Sequence, residues 1–507
     1  MEIQSGGSRV SAVIFWPLAA VSLGLAVLLL TILYNVTLHP LRKYPGPKLW
    51  AATRIPYALM IVRGDPHKTI LALHRRYGAD VVRISPNELS FQHPDAWKDI
   101  MGHRGGGGGG DGGRSEENEK DPDVVDERRM DIVSARRGDH ARYRRILSHS
   151  FSARSMQQDQ QPIILPYVDL LMKRLRGAAG RGPVDMVAWY NSATFDIIGD
   201  LAFGEPFGCL DRPGGHHPWV RVIFENIRML ALVNLARSFR LLAPLLKMLV
   251  PRDLIEKGKS HRAFVRDKVD RRMALGTPRP DFAESMMKKG NEVSPLSQDE
   301  IYENSGLLVI AGSETTATAL SGATYLLAAN PHTLARLSAE VRGSFASEDE
   351  IDFLGTARLG YLHAVLEESL RMYPPVPTAV PRRTPPRGAE ILGQWIPGNT
   401  TIGIAHWPLY HNERLFSRPF GFHPERWLGD PAFAGDRLDA FRPFHVGPRN
   451  CIGMNLAYAE MRVMLARVVW AFDLRLAEAS RGWMDDQRCY ILWRKAPLMV
   501  HLTPRRS

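Results

Sequence analysis

Phe444-His445-Val446-Gly447-Pro448-Arg449-Asn450-Cys451-Ile452-Gly453 sets one cysteine among small residues, directly ahead of a segment with helical periodicity (Leu456, Ala459, Val463, Ala466, Val469). Free backbone N–H groups and the positive dipole end at the mouth of a helix stabilise a thiolate. Gly447 and Gly453 carry no Cβ and let the backbone pass close to a large flat partner. Phe444 offers an aromatic wall, and Arg449 a guanidinium two residues before the sulfur, suited to a carboxylate. A haem, a flat macrocycle with carboxylate arms and an iron that accepts a thiolate, answers all of these features. The bland alternative is a buried structural cysteine, since free Cys often serves as a small hydrophobe.

The chain has 507 residues, 45 % of them hydrophobic, enough for one large or two intimate lobes. Three cysteines (Cys209, Cys451, Cys489) do not make a disulfide framework and suit a reducing compartment. The net charge of +12 suits contact with anionic lipid or an acidic protein. The basic residues are scattered and no nucleic-acid motif occurs, which argues against nucleic acid as a partner. Val13 to Leu33 is a run without charge, long enough to span a bilayer as a helix. No small-residue cleavage site follows at Tyr34-Asn35-Val36-Thr37, so the run reads as an uncleaved anchor. Arg9 precedes it, whereas Arg42, Lys43, Lys48 and Arg54 follow. The positive-inside rule therefore predicts residues 1–12 in the lumen, an anchor over 13–33, a basic and proline-rich hinge over 34–50, and a cytosolic domain over 51–507.

Val81–Ile84 and Glu88–Phe91 read as two short strands around a turn, and Trp395–Ile404 as a small sheet turning at Pro397-Gly398. Gly105 to Gly110 is an unbroken glycine run with polar and acidic residues following; such a segment buries too little to offset its ordering entropy, which predicts a mobile loop over residues 102–126. His140 and Arg144 stand four apart on a predicted helix, hence on one face; the bland alternative is two solvated residues on a basic helix. Ser297-Gln298-Asp299-Glu300 is a capping box and Asn330-Pro331 a stop, enclosing a long helix that is apolar or small on all sides and therefore central. Its middle, Ala311-Gly312-Ser313-Glu314-Thr315-Thr316, is poor helix sequence, with small residues that allow close approach to a flat partner. Thr315 can turn its hydroxyl to the carbonyl of Ala311, opening a notch, and Glu314 beside it can supply protons. Glu368 and Arg371 share a helix face that Pro374-Pro375 ends.

The pattern F-x-x-G-x-R-x-C-x-G around Cys451, with A-G-x-[DE]-T-T at Ala311–Thr316 and E-x-x-R at Glu368–Arg371, resembles the signatures of the cytochrome P-450 family. The resemblance extends over nearly the whole chain. His39–Trp50 and Asp139–Ser152 look most like filamentous-fungal members of secondary metabolism such as trichothecene hydroxylases. It implies a mainly α fold with a minor β lobe and a membrane anchor. It implies haem with Cys451 as metal ligand, Phe444, Arg449 and Gly453 around it, and His140, Arg144 and Arg382 (or its neighbour Arg383) on the haem carboxylates. Arg426 would join the buried Glu368–Arg371 pair. Thr315 and Glu314 would be the catalytic pair in a monooxygenase that inserts one atom of O2 into a lipophilic small molecule. No nucleotide or flavin motif is present, so electrons from NADPH would come through a separate cytochrome P-450 reductase at the endoplasmic reticulum membrane. A haem-thiolate isomerase or dehydratase, or a non-catalytic membrane haem-binding protein, would keep Cys451 without needing the Glu314–Thr315 pair.

Overall fold

The computed structural model describes residues 6–102, 117–126, 128–211, 252–288 and 295–505, with short pieces between 228 and 239. Among these residues helices dominate, as expected, with four small sheets. The first helix, Gly6–Thr37, is long and apolar enough to cross a membrane over Leu18–Thr37, and its leucines stand exposed. That stretch ends at Thr37 rather than at Leu33. Asn35 at its end turns inward: its amide donates to the Ala52 carbonyl at 3.0 Å, and Arg83 donates to the Asn35 carbonyl at 2.9 Å. The proline-rich hinge is seated on the body, where the Arg83 amide meets the Pro45 carbonyl at 2.8 Å and a Cβ at Gly46 would collide with the Arg83 carbonyl. The connector is thus fixed by strand Val81–Ser85.

That strand opens a five-stranded sheet in the order Val81–Ser85, Glu88–Phe91, Thr401–Ile404, Arg382–Arg383, Glu119–Lys120. Two sequence expectations are corrected here. Trp395 and Ile404 do not share one small sheet. Gln394–Ile396 pairs with Ala389–Ile391, whereas Thr401–Ile404 lies parallel to Glu88–Phe91 in the main sheet, its four residues fully buried. The loop expected over 102–126 is not mobile throughout. Residues 103–116, with the glycine run, lie outside the described residues, but Glu119 and Lys120 pair with Arg383 and Arg382, and Asn118 and Asp121 are buried. The cause is Arg383, which bonds Asp121 at 2.6 Å and Asp123 at 3.1 Å and ties this acidic stretch to the sheet.

The helix Gln298–Ala329 begins with the expected capping box, Ser297 and Glu300 each bonding the other's backbone, and ends at Asn330. It packs along Met186–Phe203, itself buried on almost every side. Gly312 makes that approach possible: a Cβ there would sit 2.9 Å from Ile198 Cδ1. Its small size therefore serves helix packing. On the other side, Leu307, Ala311 and Thr315, spaced four apart, stay partly or fully accessible on a helix that is otherwise mostly buried. This stripe is the accessible side of the helix.

Candidate active site around Cys451

Cys451 lies three residues before the helix Met454–Ala471, and its amide donates to the Phe444 carbonyl at 2.9 Å, which closes the loop on itself. The Phe444 ring rests on Tyr458, centroids 5.1 Å apart. Gly447 has φ +79°, and a Cβ there would strike the Met101 carbonyl, so both backbone angle and space demand glycine. At Gly453 a Cβ would meet only ordinary contacts, 3.8 Å from the sulfur, so the protein itself leaves room beside it. Cys209 and Cys489 are buried, while Cys451 is exposed. Burial nevertheless raises its thiol above the ordinary range, opposed by the Gly453 N–H and by Arg144. The surface it exposes therefore belongs to an enclosed space and not to bulk water.

Four cationic side chains and a histidine converge beside this loop. Arg144 reaches the Asn450 carbonyl at 2.6 Å and its side-chain oxygen at 2.5 Å. Arg449 bonds Glu117 and the Ala135 carbonyl, at 2.9 and 2.8 Å. Arg382 is buried; its Nε approaches Met101 Sδ at 3.1 Å and its Nη1 has no partner. Burial, with Arg449 near, pushes Arg382 down to about 10; burial with Arg382 and Arg449 pushes Lys120 down to about 7. Burial with Arg449, Lys120, Arg144 and Arg382 pushes His140 down to about 3, leaving a neutral imidazole. Among the described residues, Arg449–Glu117 is the one ion pair made by these four cations. A buried surplus of positive charge with an orphaned guanidinium N–H is a site for anions. A haem fits it: its two carboxylates would meet Arg382, Arg144, Arg449 and His140, and its iron the Cys451 sulfur.

Strand alternation places Arg382 and Arg383 differently. Neighbours on a strand point to opposite faces: Arg383 Nη2 bonds Asp121 and Asp123, whereas Arg382 faces the cluster.

Thr315 Oγ1 donates to the Ala311 carbonyl at 2.7 Å, as the sequence suggested, though the helix runs through without a break. Glu314 is not brought to Thr315. It is fully buried on another side of the helix, where Lys495 Nζ contacts its Oε1 and Thr318 Oγ1 donates to it at 3.3 Å. Burial raises the Glu314 carboxyl and lowers the Lys495 ammonium, each opposed by the other's charge. Sequence reasoning missed Lys495, which lies in the last β hairpin region with no local motif around it. It also missed Glu460, buried on the helix that follows Cys451 and pushed up to about 8 by burial. Glu460 had a readable signal, a lone acid on an apolar helix face.

Behind the loop, Arg371 grips Glu368 through two bonds of 2.8 and 2.7 Å and donates to the carbonyls of Tyr410, Pro419 and Gly421. Arg426 Nε and Trp427 Nε1 add bonds to Glu368 at 3.3 and 3.0 Å, and Arg426 also pairs with Asp436. Two carboxylates and two guanidiniums thus cancel where no water reaches. Burial works to raise Glu368, but Arg371 and Arg426 hold it below its ordinary value.

Comparison with known proteins agrees with this geometry. The family model described as cytochrome P450 matches residues 45–502. The trichothecene C-15 hydroxylase of Fusarium sporotrichioides is 46 % identical over 499 residues, covering 97 % of this chain and 99 % of that protein. The averantin hydroxylase of Dothistroma septosporum is 43 % identical over 498 residues, covering 96 % and 92 %. A cytochrome P450 monooxygenase of Aspergillus oryzae is 42 % identical over 480 residues, covering 93 % and 94 %. Likeness of this length, on a chain whose accessible cysteine sits in a loop rimmed by unneutralised cations, makes this protein a member of the cytochrome P450 family, haem-thiolate monooxygenases that use O2 and NADPH-derived electrons delivered by a redox partner.

Proposed function

We propose that this protein hydroxylates a lipophilic secondary metabolite of terpenoid, polyketide or mycotoxin-like type, on the cytosolic side of the endoplasmic reticulum membrane, with electrons from NADPH–cytochrome P450 reductase. The observation that carries the reading is the accessible Cys451 thiol beside converging cations, of which Arg449 alone is ion-paired among the described residues and Arg382 Nη1 is buried without a partner. The substrate class follows the relatives named as trichothecene and averantin hydroxylases. The membrane assignment follows the exposed apolar helix ending at Thr37, with Arg42, Lys43 and Lys48 just beyond it.

The bound haem supplies the binding and activation of O2. Cys451 would give it a thiolate, favoured by the Gly453 N–H and by Arg144, on a loop closed by the Cys451 N–H donating to the Phe444 carbonyl. Arg382, Arg449, Arg144 and the neutral His140 would hold its carboxylates. Thr315 has its proton committed to the Ala311 carbonyl, so its oxygen is left as an acceptor toward the open side. There it can hold a water, which would carry the proton. Ile310, Ala311, Val376, Thr378, Ala379 and Val380 are the proposed substrate walls; all are partly or fully accessible.

Thr315→Ala tests the reading. The methyl group fits and favours helix, so haem content and substrate binding stay the same. Product formed per NADPH falls steeply, within the roughly 10²–10⁴-fold that positioned proton transfer contributes, and hydrogen peroxide rises in step. Unchanged coupling removes Thr315 from the mechanism. Turnover by the wild type without NADPH or O2 replaces the monooxygenase reading with the isomerase one.

A further inference from the structure

Glu117 stands among the cations beside Cys451, where a site for haem carboxylates has no evident use for an acid. Its Oε1 accepts from Arg449 Nε at 2.9 Å and lies 2.9 Å from Arg449 Nη2, so it takes one edge of the guanidinium. Arg449 Nη1 goes to the Ala135 carbonyl at 2.8 Å. The Arg449 and Glu117 side chains are 4 % and 15 % exposed, so water screens the pair little. The segment that carries Glu117 is fixed from several sides. Asn118 donates to the carbonyls of Asp99 and Ile100, both at 3.1 Å, and Asp121 receives Arg383. Lys120 donates to the Val133 carbonyl at 2.7 Å and lies across the strands from Arg382. Glu117 therefore meets three of the cations and not Arg449 alone. Burial and Arg449 lower Arg382, and burial, Arg382 and Arg449 lower Lys120; Glu117 opposes both shifts.

An acid in this place acts on the cofactor in two ways. It repels the haem carboxylates and takes N–H groups of Arg449 that they would otherwise use. Its negative charge also disfavours adding an electron to the haem, because like charges in a poorly screened site raise the cost of reduction. We propose that Glu117 is a positioning residue that acts through Arg449, fixing the guanidinium with one edge withheld from the haem carboxylates and holding the reduction potential of the haem down. The inference rests on the placement of those carboxylates among Arg144, Arg382 and Arg449 and goes beyond it. Electrons from the redox partner enter a haem that this chain's own acid makes harder to reduce.

The test uses the full-length haem-loaded protein in lipid nanodiscs, without turnover. Two quantities are read: the midpoint potential of the haem by spectroelectrochemical titration, and the rate at which haem passes to apomyoglobin. Glu117→Gln keeps the shape and an acceptor for Arg449 but drops the charge. It raises the midpoint, by roughly tenfold in the ferrous-to-ferric ratio at a fixed applied potential, the order expected for one unit charge removed from a poorly screened site. It also slows haem loss, by about threefold, because the carboxylates meet one negative charge fewer. Glu117→Asp keeps the charge and stays within about twofold of the wild type in that ratio. Lys120→Met removes a positive charge from the same place and moves both quantities the other way. An ion pair that served structure alone would give the opposite result for haem: Glu117→Gln would free Arg449 and quicken haem loss. An unchanged or lowered midpoint in Glu117→Gln overturns the proposal, as does a rise that Glu117→Asp reproduces in full. Failure of Glu117→Gln to retain haem overturns it too. Arg382→Met separates the two levels. If it quickens haem loss while Glu117→Gln leaves the midpoint alone, this inference alone falls; if neither variant moves either quantity, the placement of the haem carboxylates falls with it.

Discussion

Lys495→Met puts the buried pair on the central helix to a quantitative test. Lys495 and Glu314 are 2 % and 1 % exposed, and Lys495 Nζ also donates to Thr318 Oγ1 at 2.5 Å. Without the ammonium, Glu314 stays buried only by keeping a proton. Its ordinary value is 4.5, so holding that proton at pH 7 costs about 3.4 kcal/mol at 1.36 kcal/mol per pH unit. This falls within the roughly 3–5 kcal/mol that breaking a buried ion pair costs. The variant also gains a pH dependence. An acid whose folded value is raised keeps its full contribution below about pH 4.5 and loses stability as pH rises, since the unfolded chain sheds the proton first. The deficit therefore shrinks to under about 1 kcal/mol at pH 5. Lys495→Met with Glu314→Gln removes both charges and recovers most of the loss, within about 1 kcal/mol of wild type. The assay is urea unfolding followed by tryptophan fluorescence at pH 5 and pH 7, on protein checked for its thiolate band. A single variant that loses less than about 1 kcal/mol at pH 7, with no dependence on pH, refutes the reasoning: Glu314 would then be hydrated or paired elsewhere.

Two further outcomes follow from the same physics. Burial pushes Glu460 up to about 8 from an ordinary 4.5, so the wild type loses roughly 2 kcal/mol between pH 6 and pH 8 from this group alone; Glu460→Gln flattens that part of the stability profile, measured by thermal unfolding across the range. Gly447→Ala forces a side chain into φ +79° and against the Met101 carbonyl, at a cost of about 1–3 kcal/mol or more, and haem retention on gel filtration drops accordingly.

What was legible in the sequence was local. The cysteine loop, the capping box at Ser297 and Glu300, and the Glu368–Arg371 pair each fit within a turn or two, so spacing alone specifies them. What was not legible depends on partners far along the chain. Lys495 meets Glu314 across 181 residues, and Arg449 meets Glu117 across 332. No periodicity marks such pairs in advance. Gly312 shows the same limit in another form. The sequence says that a small residue is needed, but only the packing shows that Ile198 takes the space. The acidic stretch 117–126 misled because its composition resembles a solvated loop, while Arg382 and Arg383 turn part of it into a strand.

The placement of Glu314 bears on how protons reach Thr315. Successive residues on a helix point about 100° apart, so an acid next to a threonine in sequence does not face it in space. Here the separation is complete: Thr315 lies on the accessible stripe with Leu307 and Ala311, while Glu314 and Thr318 lie on the buried side against Lys495. A proton held on Glu314 can arrive at Thr315 only if the carboxyl leaves Lys495, which exposes the ammonium to the cost worked out above. A water held at the open face by Thr315 carries no such cost. The pair with Lys495 therefore acts first as a tie between the central helix and the C-terminal strands. It fixes the helix on the side opposite the open stripe, so that the carbonyl of Ala311 and the hydroxyl of Thr315 keep one geometry.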